Sequence, residues 1–448
     1  SPSRGLGDVY KRQRWNCRGD LMFTLLKNAV QMKEIRNRLL FTLMILIIFR
    51  IGSQVTVPGV NAGAIQTFAT TGIFGLLNTF SGGALSNFSL FSMGVSPYIT
   101  ASIVVQLLQM DLLPTFVEWS KQGEVGRRKL NTATRYLTIV IGFFQAYAIS
   151  FGFNVWSNYG LINNPGIKTF LMIALVLTAG SMFLTWLGDM ITVKGIGNGV
   201  SVLIFAGIVA RMPHDIYEFY VKQIQGRADT ELYRAIGFTV ALIVAIVLVV
   251  MLVVYIEQAQ RRLPISYSKR ATGSSETSWL PLKINSAGVI PVIFASSFMT
   301  LPSTILSLYA NDHSESGWYQ IATNIFDFTK PAGATLYTVL IVVFTFFYAF
   351  VQVNPEKVAE NLQKSGGYIL SVRPGKDTES FVSSTLLRLS TVGALYLGGI
   401  SILPMVAAAL WNLPRGLMLG GTNLLIVVGV ALEISRQIEG RTIKRKYK

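Results

Sequence analysis

Residues Gly72 to Leu108 read GIFGLLNTFSGGALSNFSLFSMGVSPYITASIVVQLL. A membrane helix is due at this point, yet the first apolar piece, Ile73 to Phe80, is far short of the roughly 20 residues a bilayer requires. A polar Gly/Ser/Asn run from Ser81 to Ser89 separates it from a second apolar piece. Non-helical backbone at bilayer depth survives only where protein buries it or where it lines an aqueous cavity. The stretch is therefore predicted to be a broken, half-inserted helix beside a pore.

The rest of the chain supports a membrane setting. Hydrophobic residues make up 51% of the 448 residues and charged residues 14%, against about a quarter charged in ordinary soluble domains. Mean hydropathy is +0.48. The single cysteine, Cys17, excludes a disulfide framework and any cysteine-based metal site. His214 and His313 lie far apart in polar stretches and read as solvated loop residues, so no metal and no cofactor is expected.

Residues 1–21 are polar and unlike the remainder of the chain, and they read as a non-native extension preceding Met22. From Phe23 to Ile35, apolar residues at near-helical spacing among Lys27, Lys33 and Arg36 suit a helix on the inner membrane surface. Apolar runs of spanning length then recur at about 38–57, 93–112, 136–154, 168–188, 195–211, 235–256, 286–309, 334–354, 384–404 and 417–437. This predicts an all-α, polytopic membrane protein of about ten transmembrane helices. The expected divisions are 22–256 for spans one to six, 257–283 for a cytoplasmic loop, 284–437 for spans seven to ten, and 438–448 for a basic tail. A second cytoplasmic loop falls at about 355–382.

Formal net charge is +17, and its distribution sets the orientation. Lys and Arg cluster before span one, between spans two and three, after span six, after span eight and at the carboxyl terminus. No Lys or Arg occurs from Ile51 to Ser120, and only Lys330 falls between Ile284 and Glu356. Loops rich in positive charge stay inside, so both termini are expected to face the cytoplasm. Such a surface also favours anionic phospholipids.

Two other function classes fit the residues less well. A secondary transporter for a small solute places coupled ionisable residues near the bilayer midplane, but Arg50, Asp111, Asp189, Arg388 and Glu433 all fall near predicted span ends. A membrane-embedded enzyme needs a catalytic pair or metal site within its spans. No histidine falls in a predicted span, and no HExxH or GxxxxGK[ST] sequence occurs. No catalytic site is expected. The glycines of GIGNG, Gly195 to Gly199, lack the strand and spacing of a dinucleotide site and read as allowing close packing and a tight turn into span five.

Several phrases closely resemble the SecY family, the central subunits of protein-conducting channels. They are FSGGALS from Phe80, Gly94 with Pro97, Tyr98 and Ile99, KQGEVGRRKLNTATRY from Lys121, and WLGDMITVKGIGNGVSVLIFAGIVA from Trp186. SAGVIPVIFASS from Ser286, SVRPGKDT from Ser371 and GGTNLLIVVGV from Gly420 continue the match. The resemblance covers nearly everything from Met22 to Lys448. It implies two five-helix halves around an hourglass pore, through which unfolded, signal-bearing precursor polypeptides pass and from which hydrophobic helices leave sideways into lipid.

By motif position, the resemblance implies a ring of aliphatic side chains at the pore waist: Val95, Ile99, Val200, Ile204, Ile293 and Ile426. It implies a plug helix over Ile73, Phe74, Gly75, Leu76, Leu77, Asn78, Thr79 and Phe80, with Gly72, Gly75, Gly82 and Gly83 as hinges. Span two against spans seven and eight would form a lateral gate, where Ser296, Ser297 and Thr300 add polar character. Arg373, with Lys269 and Arg270, would dock a motor or ribosome. One departure is that Ser274, Ser275, Glu276 and Thr277 stand where relatives often carry more basic residues. Implied partners are the small membrane subunits SecE and SecG, the motor ATPase SecA and the ribosome; the implied location is a bacterial plasma (inner) membrane.

Overall fold

The computed structural model describes residues 32–61, 77–78, 80–110, 113–156, 162, 165–223, 229–267, 278–309, 316–327, 330–370, 372–411 and 420–446. The expected extension at residues 1–21, the part of the expected surface helix before residue 32, and His313 lie outside them. In chain order the helices are α1 (Lys33–Gly52), α2 (Ser96–Leu108), α3 (Pro114–Lys121), α4 (Gly123–Trp156), α5 (Ile167–Lys194), α6 (Gly199–Gln223) and α7 (Asp229–Gln258). Strands β1 (Gln260–Tyr267) and β2 (Ser278–Lys283) follow, then α8 (Ile290–Leu308), α9 (Gly317–Phe326), α10 (Pro331–Gln352), α11 (Pro355–Lys364), β3 (Gly367–Ile369), α12 (Lys376–Trp411) and α13 (Gly420–Lys446).

Each of the ten predicted spans falls on one of these helices: α1, α2, α4, α5, α6, α7, α8, α10, α12 and α13. Among them α5, α6, α7, α10 and α12 are by themselves long and apolar enough to cross a bilayer, while α2 and α8 are shorter apolar helices. Several begin with proline in the first turn, including α2, α8 and α10. Proline's fixed φ suits that position, and its missing N–H has no intrahelical partner to lose there. The bundle is inside out by soluble standards. Val240, Val244, Val247 and Met251 of α7 and Leu40, Leu43 and Ile47 of α1 are exposed, an apolar belt suited to lipid or to an apolar partner helix rather than to water.

Two regions differ from the sequence reading. Helix α6, which carries the fifth predicted span, starts at Gly199 rather than at residue 195 and continues past residue 211 to Gln223. His214 therefore stands on an exposed helical turn instead of in a loop. The apolar run ends where charges begin, but the helix continues through them and through Pro213.

The second difference is in the two stretches expected to be cytoplasmic loops, which fold together. Strand β1 pairs antiparallel with β2 on one side and β3 on the other. Leu263, Ile265 and Leu282 from the hairpin bury against Leu362 of α11, Ile369 of β3 and Val382 of α12. Alternation along β1 places Leu263 and Ile265 on that covered face.

Candidate pore and its surroundings

The opening stretch of the sequence folds as its composition requires. Residues 81–95 form successive turns rather than helix, and α2 begins only at Ser96. Gly82, Gly83 and Gly94 adopt positive φ, which L-residues other than glycine adopt at a cost. The segment is buried: Leu85, Phe88, Phe91 and Met93 are withdrawn from solvent. Its backbone groups find partners, since Val57 N–H donates to Phe88 O at 3.0 Å and Leu90 N–H donates to Val55 O at 3.0 Å. Ser181 Oγ of α5 donates to Gly94 O at 3.0 Å. A Cβ at Gly180 would lie 2.0 Å from Leu90 O, so only glycine lets α5 lie against this non-helical chain.

Of the expected plug, Leu77, Asn78 and Phe80 are described and helical, whereas Ile73, Phe74, Gly75, Leu76 and Thr79 lie outside the described residues, as does Gly72. The described end is fastened. Asn78 is fully buried; its Nδ2 donates to Ser86 Oγ at 2.6 Å, and its Oδ1 accepts from Ser86 N–H at 3.0 Å. Arg50 Nη1 donates to Gly82 O at 3.0 Å. Gly207 of α6 abuts the same turn, since a Cβ there would meet Phe80 O at 2.6 Å. Gly82 and Gly83, expected as hinges, stand at φ +69° and +86° directly after the described end of this segment.

The six expected waist residues come from four helices and their leads. Val95 precedes α2 and Ile99 lies within it; Val200 and Ile204 lie on α6, Ile293 on α8 and Ile426 on α13. Val95, Ile99, Ile204, Ile293 and Ile426 are all buried in one apolar cluster, against which Val200 packs. Glycines set the spacing between these helices. Gly188 of α5 stands 3.4 to 3.5 Å from Val200, measured from where its Cβ would be, and Gly429 of α13 stands 2.6 Å from Val289, just before α8.

Ser296, Ser297 and Thr300 are buried on α8. Ser296 Oγ donates to Ile293 O at 2.8 Å and Thr300 Oγ1 to Ser296 O at 2.7 Å, so these two hydroxyls serve their own helix. Helix α8 packs on α2 and α10, and it also lies along α4. Nothing in the sequence places span three beside this surface. Edge-on ring contacts join Phe294 to Phe344 and Tyr348 of α10.

Arg373 is exposed on the turn leading into α12. Its backbone carbonyl accepts from Thr378 Oγ1 at 2.8 Å, and Gly375 turns the chain at φ +104°. Lys269 and Arg270 lie outside the described residues. Sequence reasoning also missed a polar junction where α7, the β2–α8 link and α13 meet. There Asn285 Nδ2 donates to Glu257 Oε1 at 2.6 Å and Arg436 Nη2 to Glu257 O at 2.7 Å. Burial and the nearby Arg436 push the Lys283 ammonium below the ordinary lysine range, against the pull of Glu257 and Glu433. Among the ionisable residues considered for solute coupling, Asp189 pairs with Arg135 at 2.6 Å, and Arg388 and Glu433 are exposed. Asp111 lies outside the described residues.

A bundle of long apolar helices, broken at one point by buried non-helical chain whose backbone groups find partners within the protein, defines a polytopic membrane protein. The SecY family model matches residues 89–435. The chain is 56% identical over 426 residues to protein translocase subunit SecY 1 of Lactobacillus kefiranofaciens, covering 95% of this chain and 99% of that protein. It is 51% identical over 432 residues to protein translocase subunit SecY of Bacillus subtilis, with the same coverage. The chain belongs to the SecY family. Its fold matches a solved protein-conducting channel with TM-score 0.65 at 20% identity, covering 91% of this chain and 93% of that one. It also matches Sec61 from a canine ribosome-channel complex, with TM-score 0.63 at 18% identity and the same coverage.

Proposed function

We infer that this chain is the conducting subunit of a protein translocase: it passes unfolded, signal-bearing polypeptides across the membrane and releases transmembrane segments sideways into lipid. One observation carries this reading beyond family membership. Aliphatic residues from four separate helices are buried in one cluster beside a fastened break in the second span. A waist of branched aliphatics holds water poorly, so it resists ions, yet it offers no fixed polar group that selects one passing sequence over another. Burial of Val95, Ile99, Ile204, Ile293 and Ile426 fits a waist that is shut.

The remaining parts follow from the same reading. The segment from Ile73 to Phe80 serves as a plug on the outer side of the waist, and α8 with α2 and α10 forms the lateral exit. Arg373, with Lys269 and Arg270, docks an acidic protein surface or ribosomal RNA, since exposed cations suit both. SecA and the ribosome are the partners proposed for that face, with SecE and SecG at the lipid side. The chain supplies no chemistry of its own, so energy comes from a bound motor or from translation. The bacterial relatives support a plasma (inner) membrane location, and the basic loops support cytoplasmic termini.

The test is a photoreactive residue at position 99, with a stalled precursor, in vesicles holding SecE, SecG and SecA. A crosslink that requires both ATP and a functional signal is expected. Passage without contact at position 99 removes the waist assignment but not the channel; no passage at all returns the small-solute transporter.

A further inference from the structure

The GIGNG turn, Gly195 to Gly199, is satisfied group by group from several helices. Arg38 Nη1 of α1 donates to Gly195 O at 3.5 Å, and Ile196 N–H donates to Thr42 Oγ1 of α1 at 3.3 Å. Gly199 N–H donates to Thr192 Oγ1 of α5 at 2.8 Å. Gly197 N–H donates to Gln437 Oε1 of α13 at 2.9 Å. Among these four bonds only the last joins the early helices to the end of the chain.

The bond is built into the packing around it. Gly197 is buried and held at φ +89°, and a Cβ there would lie 3.3 Å from Ile434 and 2.9 Å from Val202. Ile196 buries with Ile35 of α1 and Ile438 of α13, and Ile434 packs against them. A Cβ at Gly199 would lie 1.8 Å from Gly188 O, so the turn is pressed against α5 and has no room to shift. The Gly197 N–H is therefore aimed at α13 by the fixed shape of the turn.

The waist makes this junction matter. Val200 follows the turn directly and Ile204 lies one helical turn later, while Ile426 precedes Gln437 on α13 by about 16 Å along the axis at about 1.5 Å per residue. We propose that Gln437 is a positioning residue for the pore: by accepting from Gly197 it holds α13, and Ile426 with it, in register with the Val200 and Ile204 face of α6. This rests on the waist reading above. The bond is part-buried, so losing it removes a direct tie between α13 and the turn that leads into α6 and weakens the shut arrangement in which α6 and α13 meet.

The test uses the full chain, purified with the subunits that accompany it, in a planar bilayer without a motor. Three variants are compared: Gln437→Leu, which loses the acceptor; Gln437→Glu, which keeps one; and Ile426→Asn as a waist control. Idle openings are expected about tenfold more often in Gln437→Leu, near the wild-type level in Gln437→Glu, and raised in Ile426→Asn. If Gln437→Leu does not accumulate, Gln437→Asn, which withdraws the amide by one methylene, carries the same expectation. A tight Gln437→Leu beside a leaking Ile426→Asn overturns the proposal and leaves the waist intact. Equal leakage from Gln437→Leu and Gln437→Glu also overturns it, because the acceptor would not be the cause. If neither Gln437→Leu nor Ile426→Asn leaks, the waist reading itself fails.

Discussion

Ile293 is about as fully enclosed as a side chain at a shut constriction should be, 5% exposed among apolar neighbours. If Ile293 lines the proposed waist, an amide placed there has nothing to bond until the waist parts and water enters. Burying an uncompensated amide costs about 1–3 kcal/mol on protein scales, so Ile293→Asn is expected to raise the open population about ten- to hundredfold. Ion conductance of the idle channel and export of precursors with defective signals both report it; if neither changes, Ile293 does not line the waist. Spacing alone does not separate Ile293 from any other core aliphatic, and its assignment comes from the SAGVIPVIFASS phrase. The glycines are more legible. Close packing and a tight turn are expected of GIGNG, and both are seen at Gly197 and Gly199. Gln437 carries no signal, because a lone glutamine near a span end looks like any solvated residue until Gly197 is seen to aim at it.

At the scale of elements, the turn bearing Arg373 is held by its own backbone carbonyl, bonded to Thr378, while the guanidinium stands free of the fold's core. Arg373→Glu should therefore leave assembly intact while placing like charges at the proposed docking face if an acidic partner binds there, a juxtaposition worth several kcal/mol at interfaces. Motor-driven export is expected to fall at least roughly tenfold, measured in vesicles against the amount of assembled channel; normal export would remove the reason for singling out this arginine. Helices are well read from the sequence because long apolar runs are their own signal. The cytoplasmic sheet is not, for a physical reason. Pro264 and Pro281 sit within paired strands, where proline ordinarily argues against a strand. Strand β3 is three residues long and belongs to a different loop. Leu263 and Ile265 do alternate, but two such residues are too few to outweigh the prolines.

For the whole molecule, the distribution of Lys and Arg predicts the orientation. The β1–β3 sheet, Arg373 and the carboxyl terminus should share one side, and the turn at Gly82 that Arg50 holds should face the other. A protease-sensitive tag after Lys448 is expected to be protected in intact spheroplasts and cleaved in inverted vesicles; the reverse pattern would invert the topology. Sheet order β2-β1-β3 also bears on how the molecule comes to exist. During synthesis β1 finds β2 nearby, but β3 arrives only about a hundred residues later, after α8, α9, α10 and α11, and such distant pairings close late. A nascent chain ending before Ile369 therefore carries a two-stranded ribbon with Ile265 uncovered on its β3 side. The finished sheet certifies completion: it forms only on molecules whose α8, α9, α10 and α11 have already been made.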